Sequence, residues 1–369
     1  MTAAATPAPS GSSIPTAPEA AATGASIPGG SRAEWPVPAQ RDAATRAGRP
    51  AGGGARLLGT GAYRPAGRLT SEEVGGRFGR TAQWVEARTG FVTRGVAAGH
   101  ETVSAMALAA ARDALDDSGL SADAVDLVMV ATCSAPPRAG VVAAEVADGL
   151  GVHGAATVDL NAVCAGFCYA VAAAADSVRA GTAHYAVVVG AERMTDYIDP
   201  LDLGTSIIFG DGAGAVVVGP TDADAAGEPT AIGPVSWGSD GSRASLISVE
   251  ADSQRLRMEG PAVFRWATET VHRIALDACR RAGVAPADLA AVVPHQANLR
   301  IVNAVAEKLG AVRAVVARDG ADAGNTSAAS IPLALHRLRH AKSVRAGDLA
   351  LLVGFGAGLA WAAQVVRIP

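Results

Sequence analysis

Asp159-Leu-Asn-Ala-Val-Cys-Ala-Gly-Phe-Cys-Tyr169 is the stretch on which the reading of this chain turns. Thr157–Asn161 reads as a strand and Ala165–Ala180, rich in alanine and ending at Gly181, as a helix, so Cys164 falls at a strand-to-helix junction. The first turn of a helix presents unpaired N–H groups and a partial positive charge. That location favours thiolate, the nucleophilic form of cysteine, and Gly166 removes side-chain bulk beside it. A small buried core residue is the alternative reading for any such cysteine. It is the one given to Cys168, one turn further on; Cys133 and Cys279 stand in no motif.

Outward from this segment, apolar strand-like runs alternate with alanine-rich helical stretches. Ala55–Gly61, Val125–Thr132, Tyr185–Gly190 and Ala215–Val218 read as strands, with helices at Ser104–Ser118 and Val141–Gly149 between them. The second part repeats the theme. Strands are expected at Ala231–Ser236, Leu289–Pro294 and Leu349–Val353, and helices at Ala262–Ala282, Asn298–Leu309 and Ser327–His340. Near-continuous apolar strands alternating with helices imply an α/β fold with parallel sheets covered on both faces. Phe209-Gly-Asp-Gly-Ala-Gly and Phe355-Gly-Ala-Gly echo one another near the ends of the two parts. The domain reading is therefore a tail over 1–54 and two similar halves, 55–230 and 231–369. The tail is Ala/Pro/Ser/Gly/Thr-rich, and such a composition cannot bury enough surface to offset its ordering entropy.

Composition bounds the function. The chain has 369 residues, 49 % hydrophobic and 18 % charged, with net charge -4. A sequence pI near 6.0 argues against nucleic-acid binding. Leu349–Val366 holds no charge, but Gly354, Gly356 and Gly358 break a lipid-facing helix, so two short buried strands around a glycine turn fit better than a membrane span. Four cysteines without CxxC spacing and no export signal make the cytoplasm the expected location. His336 and His340 have i, i+4 spacing, but no third ligand is apparent and no metal site is expected. The run Gly210–Gly214 leads into a valine-rich strand and not a helix, so it is no dinucleotide fingerprint.

Two further segments carry chemistry. In Val293-Pro-His-Gln-Ala-Asn-Leu-Arg300, His295 follows a strand end, where ligands bind in parallel α/β sheets; a hydrogen-bonded structural histidine is the alternative. In Gly324-Asn-Thr-Ser-Ala-Ala-Ser330, Asn325 precedes a helix and could be a simple N-cap. A cysteine, a histidine and an asparagine at three such junctions suit carbon–carbon condensation of thioesters. With the runs Cys164-Ala-Gly-Phe167, Phe209-Gly-Asp-Gly-Ala-Gly214, Pro294–Arg300 and Gly324–Ser330, the sequence resembles the 3-oxoacyl-(acyl-carrier-protein) synthase III branch of the thiolase-like ketosynthases from about Arg56 to Pro369.

The resemblance implies a five-layered αβαβα thiolase-like fold built from two similar halves and a homodimer. It implies acyl-CoA as first substrate and malonyl-acyl carrier protein as second, with no permanently bound cofactor. Cys164 would be acylated, backbone N–H groups of Cys164 and Ala357 would form the oxyanion hole, and His295 and Asn325 would stabilise the enolate left by decarboxylation. Trp84, Arg88 and Thr89 match the family's nucleotide-binding segment; Gly260, Asn298 and Arg300 match the pantetheine tunnel or its mouth. Arg265, with Arg300, would meet the acidic carrier protein. A non-decarboxylating acyltransferase using the same three residues, passing the acyl group to an oxygen, nitrogen or carrier thiol, is the alternative activity.

The chain departs from the family in four places. Leu203 replaces an arginine opposite the adenine-stacking tryptophan, Glu307 replaces a lysine of the carrier-protein patch, the glycine triplet reads Gly356-Ala-Gly358, and Ala139 stands where the family lends a phenylalanine to the partner's acyl pocket, which Phe355 also lines. These changes point to a starter enzyme for a polyketide or other secondary metabolite.

Overall fold

The computed structural model describes residues 53–135, 141–221 and 231–369. The expected tail, apart from Gly53 and Gly54, lies outside them; so do Ala139 and the proposed division between halves at 230. Two five-stranded sheets organise the rest. The first is built from β1 (Ala55–Tyr63), β2 (Leu127–Ala131), β3 (Ala156–Leu160), β4 (Ala186–Arg193) and β5 (Asp211–Pro220), with helices α1 (Val103–Ser118), α2 (Val142–Leu150) and α3 (Gly166–Arg179) between them. The second uses β6 (Ser236–Ser239), β7 (Ala291–Pro294), β8 (Val315–Val316), β9 (Leu349–Gly356) and β10 (Ala360–Arg367), with α4 (Gly260–Ala282), α5 (Leu299–Leu309) and α6 (Ser330–His340).

The strand orders are β1-β5-β4-β2-β3 and β6-β10-β9-β7-β8. Position by position the senses agree. The first two pairings of each sheet are antiparallel and the last two parallel. The expectation of parallel sheets is thus corrected to mixed ones. A strand buried on both faces reads as a continuous apolar run whichever way it points. The turn Ala357–Leu359 is moreover too short for a crossover, so β9 and β10 must be antiparallel. A second correction concerns Ala231–Ser236. Only Ile232 makes an isolated bridge, to Val366, and the strand begins at Ser236. Pro234 has no N–H to give to a ladder.

Period-two alternation sorts side chains into layers. Val128, Val130, Val187 and Val189 pack with α1 and α2 on the outer face of the first sheet. Met129, Ala131, Ala186 and Val188 point inward to α3 and α6, which also take Val293, Ala350 and Leu352 from the second sheet. Leu351, Val353 and Val292 face α4 and α5. The order helices, sheet, helices, sheet, helices is the five-layered thiolase-like fold that the resemblance implies.

Small residues let the central helices lie against the sheets. A Cβ on Gly190 would sit 2.4 Å from the Ala328 carbonyl oxygen, and one on Gly214 would sit 2.7 Å from the Leu333 nitrogen. Gly190→Ala should therefore cost about 1–3 kcal/mol, the usual range for overpacking, and lower the melting temperature by several degrees in calorimetry. An unchanged melting temperature would show that the sheet and the turn before α6 can part freely.

Candidate active site

β3 ends at Leu160 and a tight turn, Val163–Ala165, delivers Cys164 just ahead of α3. Val163 has φ 49°, a left-handed conformation unusual for a β-branched residue. The turn is strained where Cys164 is presented. In the second sheet, Ser327 (φ 46°) occupies the matching turn before α6. The two turns touch one another. Gly356, at the end of β9, passes so close that a Cβ there would lie 2.7 Å from the Cys164 Cβ and 3.0 Å from its Sγ. The backbone of Gly356 and Ala357 is thereby held against the thiol.

Cys164, His295, Asn325, Phe355 and Ala357 line one cavity of about 880 Å³. His295 follows β7 with its N–H on the Val353 carbonyl at 2.8 Å, and its ring lies edge-on to Phe355 with centroids 5.3 Å apart. Asn325 is clamped through its backbone between Ile208 O (2.9 Å) and Gly210 N (3.0 Å). Its Oδ1 accepts from Ser327 N at 2.9 Å, so the group it can offer a ligand is the NH₂. Burial pushes the His295 imidazole down to about 3, so it is neutral at physiological pH.

Arg88, Thr89, Gly260, Arg265, Asn298 and Arg300 line the same cavity, the three arginines being exposed. Asn298 caps α5, accepting from Arg300 N at 2.9 Å, and donates to Arg88 O at 2.9 Å. Thr89 is tied up locally through Val85 O and Phe91 N. Trp84 does not line the cavity. The Arg88 guanidinium lies over its ring at 3.8 Å, and its apolar neighbours include Leu203. Ala139 is outside the described residues. Among these residues no group of three or more His, Cys, Asp or Glu could hold a metal ion. His336 stacks on His340 at 3.9 Å and faces Thr60. Among the described residues no helix is long and apolar enough to cross a membrane, and Leu349–Gly356 and Ala360–Arg367 are buried strands.

The structure adds residues that the sequence reading passes over. Cys133, read as motif-free, lines the cavity beside Met194, Phe209 and Leu256, an apolar cluster that forms one wall. Its Sγ donates to Glu192 at 3.3 Å. Glu192, fully buried, also accepts from Ser134 Oγ (2.5 Å), Cys133 N (3.1 Å), Thr132 Oγ1 (3.2 Å) and Ala328 N (3.3 Å). It ties the 132–134 segment to the turn carrying Asn325, and burial pushes its carboxyl up. A lone acid inside Ala186–Arg193 is the sequence signal for such a group.

The expectation that the helix start favours the Cys164 thiolate meets an opposing effect. The backbone N–H and the Ser327 hydroxyl favour the Cys164 thiolate, but burial outweighs both and pushes the thiol up to about 12. Alkylation of Cys164 by iodoacetamide should therefore rise about tenfold per pH unit from pH 7 to 10, following the thiolate fraction, as read by peptide mass spectrometry. A plateau below pH 8 would show that the helix start prevails.

Comparison with known proteins supports the same picture. The family profile for 3-oxoacyl-[acyl-carrier-protein] synthase III matches residues 158–241 and its C-terminal counterpart residues 279–368. Beta-ketoacyl-[acyl-carrier-protein] synthase III 4 of Streptomyces coelicolor is 49 % identical over 316 residues, 86 % of this chain and 99 % of the relative. The Streptomyces avermitilis synthase III 2 is 46 % identical over the same shares. Among solved structures, the priming beta-ketosynthase from the R1128 polyketide biosynthetic pathway superposes with TM-score 0.82 at 42 % identity, covering 87 % of this chain and 98 % of that one. The Aquifex aeolicus 3-oxoacyl-[acyl-carrier-protein] synthase III does so with TM-score 0.79 at 35 % identity, over 85 % and 100 %. With nearly the whole length of these relatives matched and a cysteine, a histidine and an asparagine gathered in one cavity, the chain belongs to the 3-oxoacyl-(acyl-carrier-protein) synthase III family, the acyl-transferring ketosynthases of the thiolase-like fold.

Proposed function

We propose that this ketosynthase takes an acyl group from an acyl-CoA onto Cys164 and condenses it with malonyl-acyl carrier protein, priming polyketide or fatty acid synthesis. One observation carries the reading: buried Cys164, His295 and Asn325 share a cavity with the exposed arginines Arg88, Arg265 and Arg300. Guanidinium groups at the mouth suit phosphates of coenzyme A or of a carrier-bound pantetheine. The opposite wall, Cys133, Met194, Phe209 and Leu256, suits an uncharged apolar acyl chain.

The chemistry follows from the donors. Cys164 sulfur attacks the thioester carbonyl, backbone N–H groups of Cys164 and Ala357 hold the oxyanion, and coenzyme A leaves as the thiol, taking the cysteine proton. The malonyl thioester then loses carbon dioxide, and its C–C bond electrons become an enolate. Neutral His295 and the Asn325 NH₂ stabilise the enolate oxygen without a charge to desolvate. The enolate carbon attacks acyl-Cys164, and the thiolate leaves as the 3-oxoacyl thioester forms. Arg265 gives the acidic carrier protein a contact at the mouth. β3 is the exposed edge of the first sheet, with Val158 on its surface, and offers its unpaired backbone to a second copy, as a homodimer would use it. The site needs no permanently held cofactor, and we place the enzyme in the cytoplasm.

Incubation with mixed acyl-CoAs should add one acyl group, on the Cys164 peptide, and Cys164→Ala should add none. His295→Ala and Asn325→Ala should keep acylation but lose about 10²–10³ in decarboxylation. Mass analysis of the carrier protein then decides the reaction. A 3-oxoacyl product supports condensation, and simple acyl transfer without carbon dioxide release overturns it in favour of a non-decarboxylating acyltransferase.

A further inference from the structure

Around Ser330, in the turn before α6, backbone groups fix every hydrogen bond but one. Asn325 Oδ1 accepts from Ser327 N, the Ser327 carbonyl accepts from Ser330 N, and Gln296 N donates to Ser330 Oγ at 3.3 Å. One hydrogen remains to be placed. The Ser330 hydroxyl reaches His295 Nδ1 at 2.7 Å and the Ser327 carbonyl oxygen at 2.9 Å. Ser330 and His295 are each 1 % exposed, so bulk water does not compete for it.

That single hydrogen decides the form of the imidazole. If it goes to the Ser327 carbonyl, His295 must carry its own hydrogen on Nδ1 to face the serine oxygen, and Nε2 keeps a lone pair. If it goes to Nδ1, the imidazole hydrogen sits on Nε2. The second arrangement uses the shorter contact and gives the hydrogen to a lone pair, whereas the Ser327 oxygen already holds an amide N–H.

We propose that Ser330 is a positioning residue whose hydroxyl donates to His295 Nδ1, holding the imidazole as the Nε2–H form so that His295 offers the substrate a donor. With the NH₂ of Asn325, this gives the cavity two neutral donors. The catalytic consequence rests on the enolate role proposed for His295; the position of the hydrogen does not.

The test separates the two. In full-length protein labelled with ¹⁵N-histidine, NMR correlations between ring nitrogens and ring C–H groups report which nitrogen is protonated, and loss of the signal in His295→Gln identifies the residue. Wild type should show Nε2–H. Ser330→Ala should switch to Nδ1–H, donating to the Ser327 carbonyl. It should also lower malonyl-thioester decarboxylation about 100-fold or more. Acylation of Cys164 should stay within about threefold, and Ser330→Thr, which keeps the hydroxyl, should recover to within about tenfold. Should the alanine variant fail to fold, Ser330→Cys, a weaker donor, should give a mixture of the two forms. Nδ1–H in wild type, or an unchanged form in Ser330→Ala, overturns the proposal. If His295→Ala leaves malonyl-thioester decarboxylation unchanged the enolate reading fails, while the NMR result still decides what Ser330 does.

Discussion

Two non-glycine residues with positive φ, Val163 and Ser327, stand at the start of the two central helices, in turns that touch. Each such backbone costs of order 1–3 kcal/mol and persists only where the surroundings over-determine it. Here they do, because α3 and α6 are pinned between two sheets whose inner faces are filled by Met129, Val188, Val293 and Leu352. The strain places Cys164 and the Asn325 turn against one another, and the rest of the site is arranged around that meeting point. Gly356 is the counterpart on the other side, since no side chain fits between it and the thiol.

Burial then sets the electrostatics of the centre in a consistent direction. It disfavours charge on Cys164, on His295 and on Glu192 alike. Cys164 and His295 are therefore held in their neutral forms. Glu192 acts as a tie, since its carboxylate gathers donors from two segments. Arg88, Arg265 and Arg300, which line the same cavity, stay exposed, where their charge is solvated.

The repeat of strand order and sense between the two sheets explains why function is divided between them. Corresponding turns follow β3 and precede α3 in one sheet, and follow β8 and precede α6 in the other; one carries Cys164 and the other lies just after Asn325. The repeat is faint in the sequence, where only the two glycine-rich runs echo each other, because a fold of this kind constrains volume and polarity at each position and not residue identity.

The sequence by itself determined the element order, most helix bounds to within about two residues, and the three residues that share the cavity. These properties are local, written in apolar periodicity, in glycine and in short motifs such as Cys164-Ala-Gly-Phe167. Strand direction was not legible, because doubly buried strands look alike in either sense. Cys133, Glu192 and Ser330 were not assigned either, because each owes its place to partners 58 or more, or 35, residues away: Glu192 to Ser134 and Ala328, Ser330 to His295. Only the tertiary structure could decide that Trp84 is stacked under Arg88 and does not itself line the cavity, and that burial opposes the Cys164 thiolate. The field at a helix start is a local property, but the dielectric around it is set by everything packed against it.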